Sequence, residues 1–151
     1  MKKLIEQLVK FGIVGVISFG IDFIITMVVA KVLRGAGMDM SRAAVVGAFF
    51  GFVISVIFNY IASMKFVFER REDMDKKKEF VIFVALSVIG LGINELLIYL
   101  SLDVLYVQWT WFRNIFTNED VVTAAAKIFA TAVVMIYNFV TRKIFLEKKE
   151  S

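Results

Sequence analysis

The sequence predicts an all-α membrane protein: four transmembrane helices, arranged as two parallel-related helical hairpins with both termini cytoplasmic. Three observations predict it. Four apolar blocks are each long enough to cross a bilayer, the same residues recur at matching places in two halves, and lysine and arginine are distributed one-sidedly.

The blocks come in order. Ile13 to Val32 carries one acid, Asp22, and one base near its end, Lys31; Ala43 to Met64 carries no charge. Phe80 to Leu102 carries Glu95, and Val121 to Val140 carries only Lys127. An α-helix needs about 20 apolar residues to cross ~30 Å of hydrocarbon, so the spans are set at about 11–33, 43–64, 80–102 and 121–141 within a single membrane domain, 1–151. The first block follows Lys2, Lys3 and Lys10 as a secretory signal would, but it runs past Asp22 to Val32, beyond the ~7–15 residues of a signal core; it is read as a retained helix. Hydrophobic residues make up 60% of the chain, against ~45–50% in soluble domains, and these blocks hold the surplus.

Of 18 basic residues, three precede the first span, six lie in the middle connection (Lys65, Arg70, Arg71, Lys76, Lys77, Lys78) and four follow the last span. The other side has Lys31, Arg34, Arg42 and Arg113, with Lys127 inside a span. Thirteen against four is a positive-inside bias that sets both termini and the middle loop in the cytoplasm. The net charge of +4 therefore reports orientation and attraction to anionic lipid, and no nucleic-acid partner is expected.

The charged segment Glu69 to Glu79 separates two repeat halves, 8–68 and 80–146. Phe11-Gly-Ile-Val-Gly-Val-Ile-Ser-Phe-Gly-Ile-Asp22 in the first answers to Phe83-Val-Ala-Leu-Ser-Val-Ile-Gly-Leu-Gly-Ile-Asn94 in the second. The hairpins close with Asn59-Tyr-Ile-Ala-Ser-Met-Lys65-Phe-Val-Phe68 and Asn138-Phe-Val-Thr-Arg142-Lys143-Ile-Phe145. Each repeat holds two spans, so the pseudo-two-fold axis runs along the membrane normal. Gly47-xxx-Gly51 is a small-xxx-small pattern suited to close helix packing. The outer connection carries Tyr106, Trp109, Trp111, Phe112 and Phe116, read either as an interfacial belt or as a lid over a substrate path.

Candidate site residues are the polar groups inside the bilayer. Asp22 stands 12 residues past Lys10, about 18 Å from the inner border at 1.5 Å per residue. Glu95, 15 residues past Phe80, and Lys127, 15 before Arg142, both come to about 22 Å. A mid-span charge costs about 2.5–3.5 kcal/mol, so each needs a partner or a substrate. Equal depth allows a Glu95–Lys127 ion pair, with Asp22 near enough to share it; substrate contact is the other reading. Asn94 corresponds to Asp22. Asn59 and Asn138 are helix–helix hydrogen bonders or substrate donors, and Lys65, Arg142 and Lys143 are border anchors or phosphate ligands.

There is no Cys and no His, so disulfides, palmitoylation and the usual metal ligand are not available, and no cofactor is expected. No phosphate-cradling glycine loop or nucleophile-and-base set appears, and the polar loops are short; the chain is not expected to be an enzyme.

Phe11-x-x-Val-Gly15 to Asp22-Phe23, Asn59-Tyr60 to Lys65-Phe66-Val67-Phe68, and Ala126-Lys127 to Asn138-Phe139-Val140-Thr141-Arg142-Lys143 together resemble the GtrA-like family over residues 8 to 146. The resemblance implies a small four-helix protein of the cytoplasmic (inner) membrane of a bacterium or archaeon. It implies translocation of polyprenyl-phosphate-linked monosaccharide to the outer leaflet, where partner membrane glycosyltransferases decorate envelope polysaccharide. Asp22, Asn59, Lys65, Lys127, Asn138 and Arg142 match motif positions; the chain departs at Ser63 and Met64, where many members carry an Asn-Arg pair. A polar head crossing hydrocarbon needs a narrow polar groove open to lipid. Asp22, Asn94 and Glu95 suit sugar hydroxyls, and Lys127 with the border bases suits the phosphate. Four helices make a slender groove wall, and a homo-oligomer is expected by analogy. Two alternatives stand beside this: a dimeric proton-coupled exporter of small cations using Asp22, and a non-transporting subunit of a membrane glycosyltransferase.

Overall fold

The computed structural model describes residues 1–115 and 117–149, except for the side chains of 112, 119 and 120. Phe116 and the side chain of Phe112, two of the outer aromatics named above, lie outside the described residues. The chain is all-α: α1 Lys2–Gly35, α2 Met40–Ala62, α3 Lys76–Tyr99, α4 Thr110–Ile115 and α5 Glu119–Leu146. A π-helical turn, Ser63–Val67, prolongs α2, and another, Leu100–Tyr106, prolongs α3. Four of these helices, their extensions included, are long and apolar enough to cross a membrane. Large apolar side chains point outward along them, with Phe19 72% and Ile128 71% exposed, as a surface solvated by lipid requires.

Two compact units divide the chain, Met1–Phe80 with Leu146–Ser151, and Val81–Phe145. In the first, α1 ends at a turn in which Gly37 takes φ +99°, a left-handed conformation open to glycine. Asp39 then caps α2, its carboxylate accepting from the Arg42 N–H at 3.1 Å. The chain therefore reverses within four residues, and α2 packs back along α1. Gly47 and Gly51 set how closely: a Cβ at Gly47 would lie 2.6 Å from the Thr26 carbonyl oxygen, and one at Gly51 2.6 Å from that of Asp22. Small residues are what let the two backbones meet. The core between them is Phe11, Val14 and Ser18 on α1 and Ala43, Val56 and Ala62 on α2.

At the open end of this hairpin, the π turn leads into extended Phe68, whose ring is buried and lies 5.9 Å from that of Phe11. Two chain segments outside the helices pair here. Lys148 N–H donates to the Glu69 carbonyl at 2.8 Å, and residues 70 and 147 form one antiparallel bridge.

In the second unit α3 packs on α5. The buried positions are Phe83, Leu86 and Gly90 on α3, and Val122, Ala126, Ala130 and Phe139 on α5. These repeat the first hairpin: Phe11, Val14 and Ser18 answer to Phe83, Leu86 and Gly90, while Ala43, Gly47 and Gly51 answer to Val122, Ala126 and Ala130.

Candidate functional site

The first hairpin carries a line of polar groups along the inner face of α1. Helical spacing of three or four residues puts Gln7, Ser18, Asp22 and Thr26 on one side. Asn59 reaches across from α2: its Nδ2 donates to Ser18 Oγ at 3.0 Å, and its Oδ1 accepts from Ser63 Oγ at 3.1 Å. Ser18 Oγ in turn donates to the Val14 carbonyl at 2.8 Å. Asn59 is thus an interhelical hydrogen bonder here.

Asp22 is half-buried, and its Oδ1 accepts from Thr26 Oγ1 at 3.1 Å. A Cβ at Gly51 would lie 2.5 Å from that same oxygen. The glycine makes the room the carboxylate occupies. Lys65, on the π turn, is exposed, with its Nζ 5.4 Å from the centroid of the Phe66 ring.

At the open end of the hairpin, two polar centres are buried that sequence reasoning missed. Gln7 Nε2 donates to Val67 O at 3.0 Å and to Glu147 Oε1 at 2.7 Å. Glu79, 1% exposed, accepts from Tyr60 Oη at 2.7 Å and from Arg70 Nη2 at 2.8 Å and Nε at 3.2 Å. Hydrogen bonding to Glu79 holds the Arg70 guanidinium above its ordinary pKa. Both residues sit in stretches that read as solvated charge. The signal was in the repeat: Gln7 stands four residues before Phe11, and Glu79 four before Phe83.

The second hairpin is assembled differently. Arg142 is not a border anchor: it is 3% exposed, its guanidinium carbon is 3.9 Å from the Phe83 ring centroid, and Nη2 donates to Ser87 Oγ at 2.6 Å. A planar, weakly hydrated guanidinium stacks on an aromatic face where an ammonium would stay in water. Lys143 beside it is half-buried. Asn138 is half-buried against Gly90, where a Cβ would come within 2.9 Å of its Oδ1. That oxygen is buried with no hydrogen-bond partner among the described residues.

Glu95 and Lys127 do not form the ion pair expected from their equal depth. Both are exposed, and among the described residues neither makes a side-chain hydrogen bond or ion pair; the same holds for half-buried Asn94. Depth fixes a residue's height and not its azimuth. Lys127 follows buried Ala126 and is turned about 100° from it. No group of three or more acidic side chains converges as a metal site among the described residues.

Within one hairpin, then, the structure brings together Asp22, Asn59 and their serine and threonine partners. Within the other, Asn94, Glu95, Lys127 and one oxygen of Asn138 have no side-chain partner among the described residues. A family model described as GtrA/DPMS, transmembrane domain, matches residues 10–146. No curated protein and no solved structure matches the chain.

Proposed function

Because the chain belongs to the GtrA/DPMS transmembrane-domain family, multi-pass membrane proteins of lipid-linked sugar processes, we propose that it translocates a polyprenyl-phosphate-linked monosaccharide across the cytoplasmic membrane. The observation that carries the reading is the unpaired state of Glu95 and Lys127. Each costs about 2.5–3.5 kcal/mol to hold in hydrocarbon, and among the described residues no side-chain hydrogen bond or ion pair offsets that cost. A sugar phosphate passing the midplane does: hydroxyls donate to the carboxylate, and the ammonium compensates the phosphate. Half-buried Asn94 adds an amide on the same helix as Glu95.

In this reading the first hairpin contributes its own mid-span acid, Asp22, held by Thr26. The protein itself makes and breaks no bond. It works as a homo-oligomer in a bacterial or archaeal inner membrane, and it hands its cargo to a membrane glycosyltransferase for envelope glycosylation. The basic middle loop and both termini face the cytoplasm.

The test is reconstitution in vesicles loaded with a lipid-linked sugar, read by an external lectin that sees only outward-facing substrate. Wild type should raise the signal several-fold over protein-free vesicles, and Asp22→Asn should lower it at unchanged insertion. Equal signals from wild type and protein-free vesicles overturn the proposal. Efflux of a small cation that depends on Asp22 replaces it with an exporter. For orientation, single cysteines at Asp73 and Asn114 in intact cells should label with an impermeant thiol reagent only at Asn114; labelling at Asp73 contradicts it.

A further inference from the structure

On the first hairpin a slot of about 370 Å³ opens between α1 and α2, lined by Ile13, Ile17, Phe58, Ala62 and Phe66, with Lys10 at one end. That volume is at the small end of the ~300–1,000 Å³ of ligand clefts, which suits one hydrocarbon chain and not two. Its polar end has the Lys10 ammonium. Lys10 belongs to the lining, and Lys65 lies over the ring of Phe66, which also lines the slot. Lys10 meets Glu6 at 3.0 Å, but both side chains are at least half exposed, and such exposed pairs are weak. The Lys10 ammonium can therefore turn to a stronger acceptor.

The second repeat lacks lysine at the matching positions. In the repeat register Lys10 answers to Ile82 and Lys65 to Ile144, while Phe58 and Ala62 answer to Tyr137 and Thr141. The two lysines thus stand where the second repeat carries isoleucine.

We propose that this slot is the loading site for a prenyl monophosphate. The chain's first isoprene units lie between Ile13, Ile17 and Phe58, and the phosphate lies between Lys10 and Lys65 in charge-assisted hydrogen bonds. The assignment rests on the proposed function and gives it a place where cargo is held before its head passes the midplane. From Lys10 to Ile17 the slot rises about 10 Å along α1, so the tail enters hydrocarbon while the head stays at the basic border.

The experiment uses the full chain in nanodiscs of neutral phosphatidylcholine and nonaprenyl phosphate as probe, with bound lipid counted by native mass spectrometry. Ile13→Trp and Ile17→Trp fill the slot at positions 55% and 48% exposed, so either one should fold. Each should weaken binding at least tenfold, as should Lys10→Gln combined with Lys65→Gln. Nonaprenol, lacking the phosphate, should bind as poorly, and phosphatidylglycerol should not displace the probe. Ile89→Trp, the equivalent of Ile17 in the second repeat, should bind as wild type does. Wild-type affinity in the Ile17→Trp variant overturns the site, and so does equal displacement by phosphatidylglycerol, which marks a general anionic-lipid contact. The vesicle assay separates the two readings. Slot-dependent binding without translocation by wild type refutes the translocase and keeps the site. Translocation by wild type with undiminished binding by Ile17→Trp does the reverse.

Discussion

In the first hairpin the tightly packed glycines are on the second helix, at 47 and 51; in the second hairpin the tightly packed one is on the first helix, at 90. The positions answering to Gly47 and Gly51 are Ala126 and Ala130, and the position answering to Gly90 is Ser18. One packing problem has thus been solved twice, with the small residue moved across the interface. The consequences for polar groups differ. Where Ser18 faces Asn59 a hydrogen bond forms, and the polar line of α1 is satisfied. Where Gly90 faces Asn138, an amide oxygen is buried without a partner among the described residues. The first hairpin spends its polar side chains on itself. The second engages Arg142 with Ser87 and Phe83 and leaves its mid-span acid and base without a side-chain partner among the described residues. Internal repetition lets the two copies dispose of their polar side chains differently on one helical plan.

The largest effect expected from this contrast is at Gly51. Gly51→Val drives a side chain into the Asp22 backbone, which cannot yield, and should lower the unfolding free energy in detergent by about 3 kcal/mol or more. Gly92→Ala meets nothing within 4 Å and should stay within about 0.5 kcal/mol of wild type. A comparable loss at both glycines, in chemical denaturation of the two variants, breaks the contrast.

Next in size is the buried Glu79. Arg70→Ala leaves that carboxylate with Tyr60 as its one side-chain donor among the described residues. A fully buried pair would lose about 3–5 kcal/mol, but the Arg70 side chain is 41% exposed, so about 1–2 kcal/mol is expected. Tyr60→Phe combined with Arg70→Ala should cost more than Arg70→Ala, because the last donor to Glu79 goes with it. Equal stabilities, measured by thermal unfolding, mean that water satisfies the carboxylate.

Smaller again is the asparagine comparison. Asn59→Ala removes two hydrogen bonds, and interhelical bonds in membranes average ~0.6 kcal/mol with a maximum near ~1.7. Asn138→Ala, which removes an amide with an unsatisfied oxygen, should cost less. A greater loss at Asn138 would reverse the roles given to the hairpins.

The number of spans was legible in the sequence because block length alone decides whether a helix crosses hydrocarbon. Helix ends were not. The first apolar block begins past Lys10, yet α1 starts at Lys2, because basic residues end a span without ending a helix. The close approach at Gly47 and Gly51 was written in its spacing, and the Asn59–Ser18 bond is one of the two options that its sequence position leaves open. Arg142 and Glu79 were not seen as buried, since a charged residue beside a headgroup border reads as an anchor until its aromatic or hydroxyl partner is located. The Glu95–Lys127 pair failed for a geometric reason: spacing along the chain yields depth, but not the rotation of a helix about its axis, and Lys127 is turned about 100° from buried Ala126.

The central claim is that Glu95 and Lys127 serve a substrate and not the fold. The most direct measurement is a double-mutant cycle of Glu95→Gln and Lys127→Met, read for both unfolding free energy and outward delivery of lipid-linked sugar in vesicles. The stability coupling should be below about 0.5 kcal/mol, with each single variant delivering sugar at least tenfold more slowly at near wild-type stability. Strong stability coupling, or delivery that falls only as far as stability falls, would return the two charges to a structural role and contradict the account.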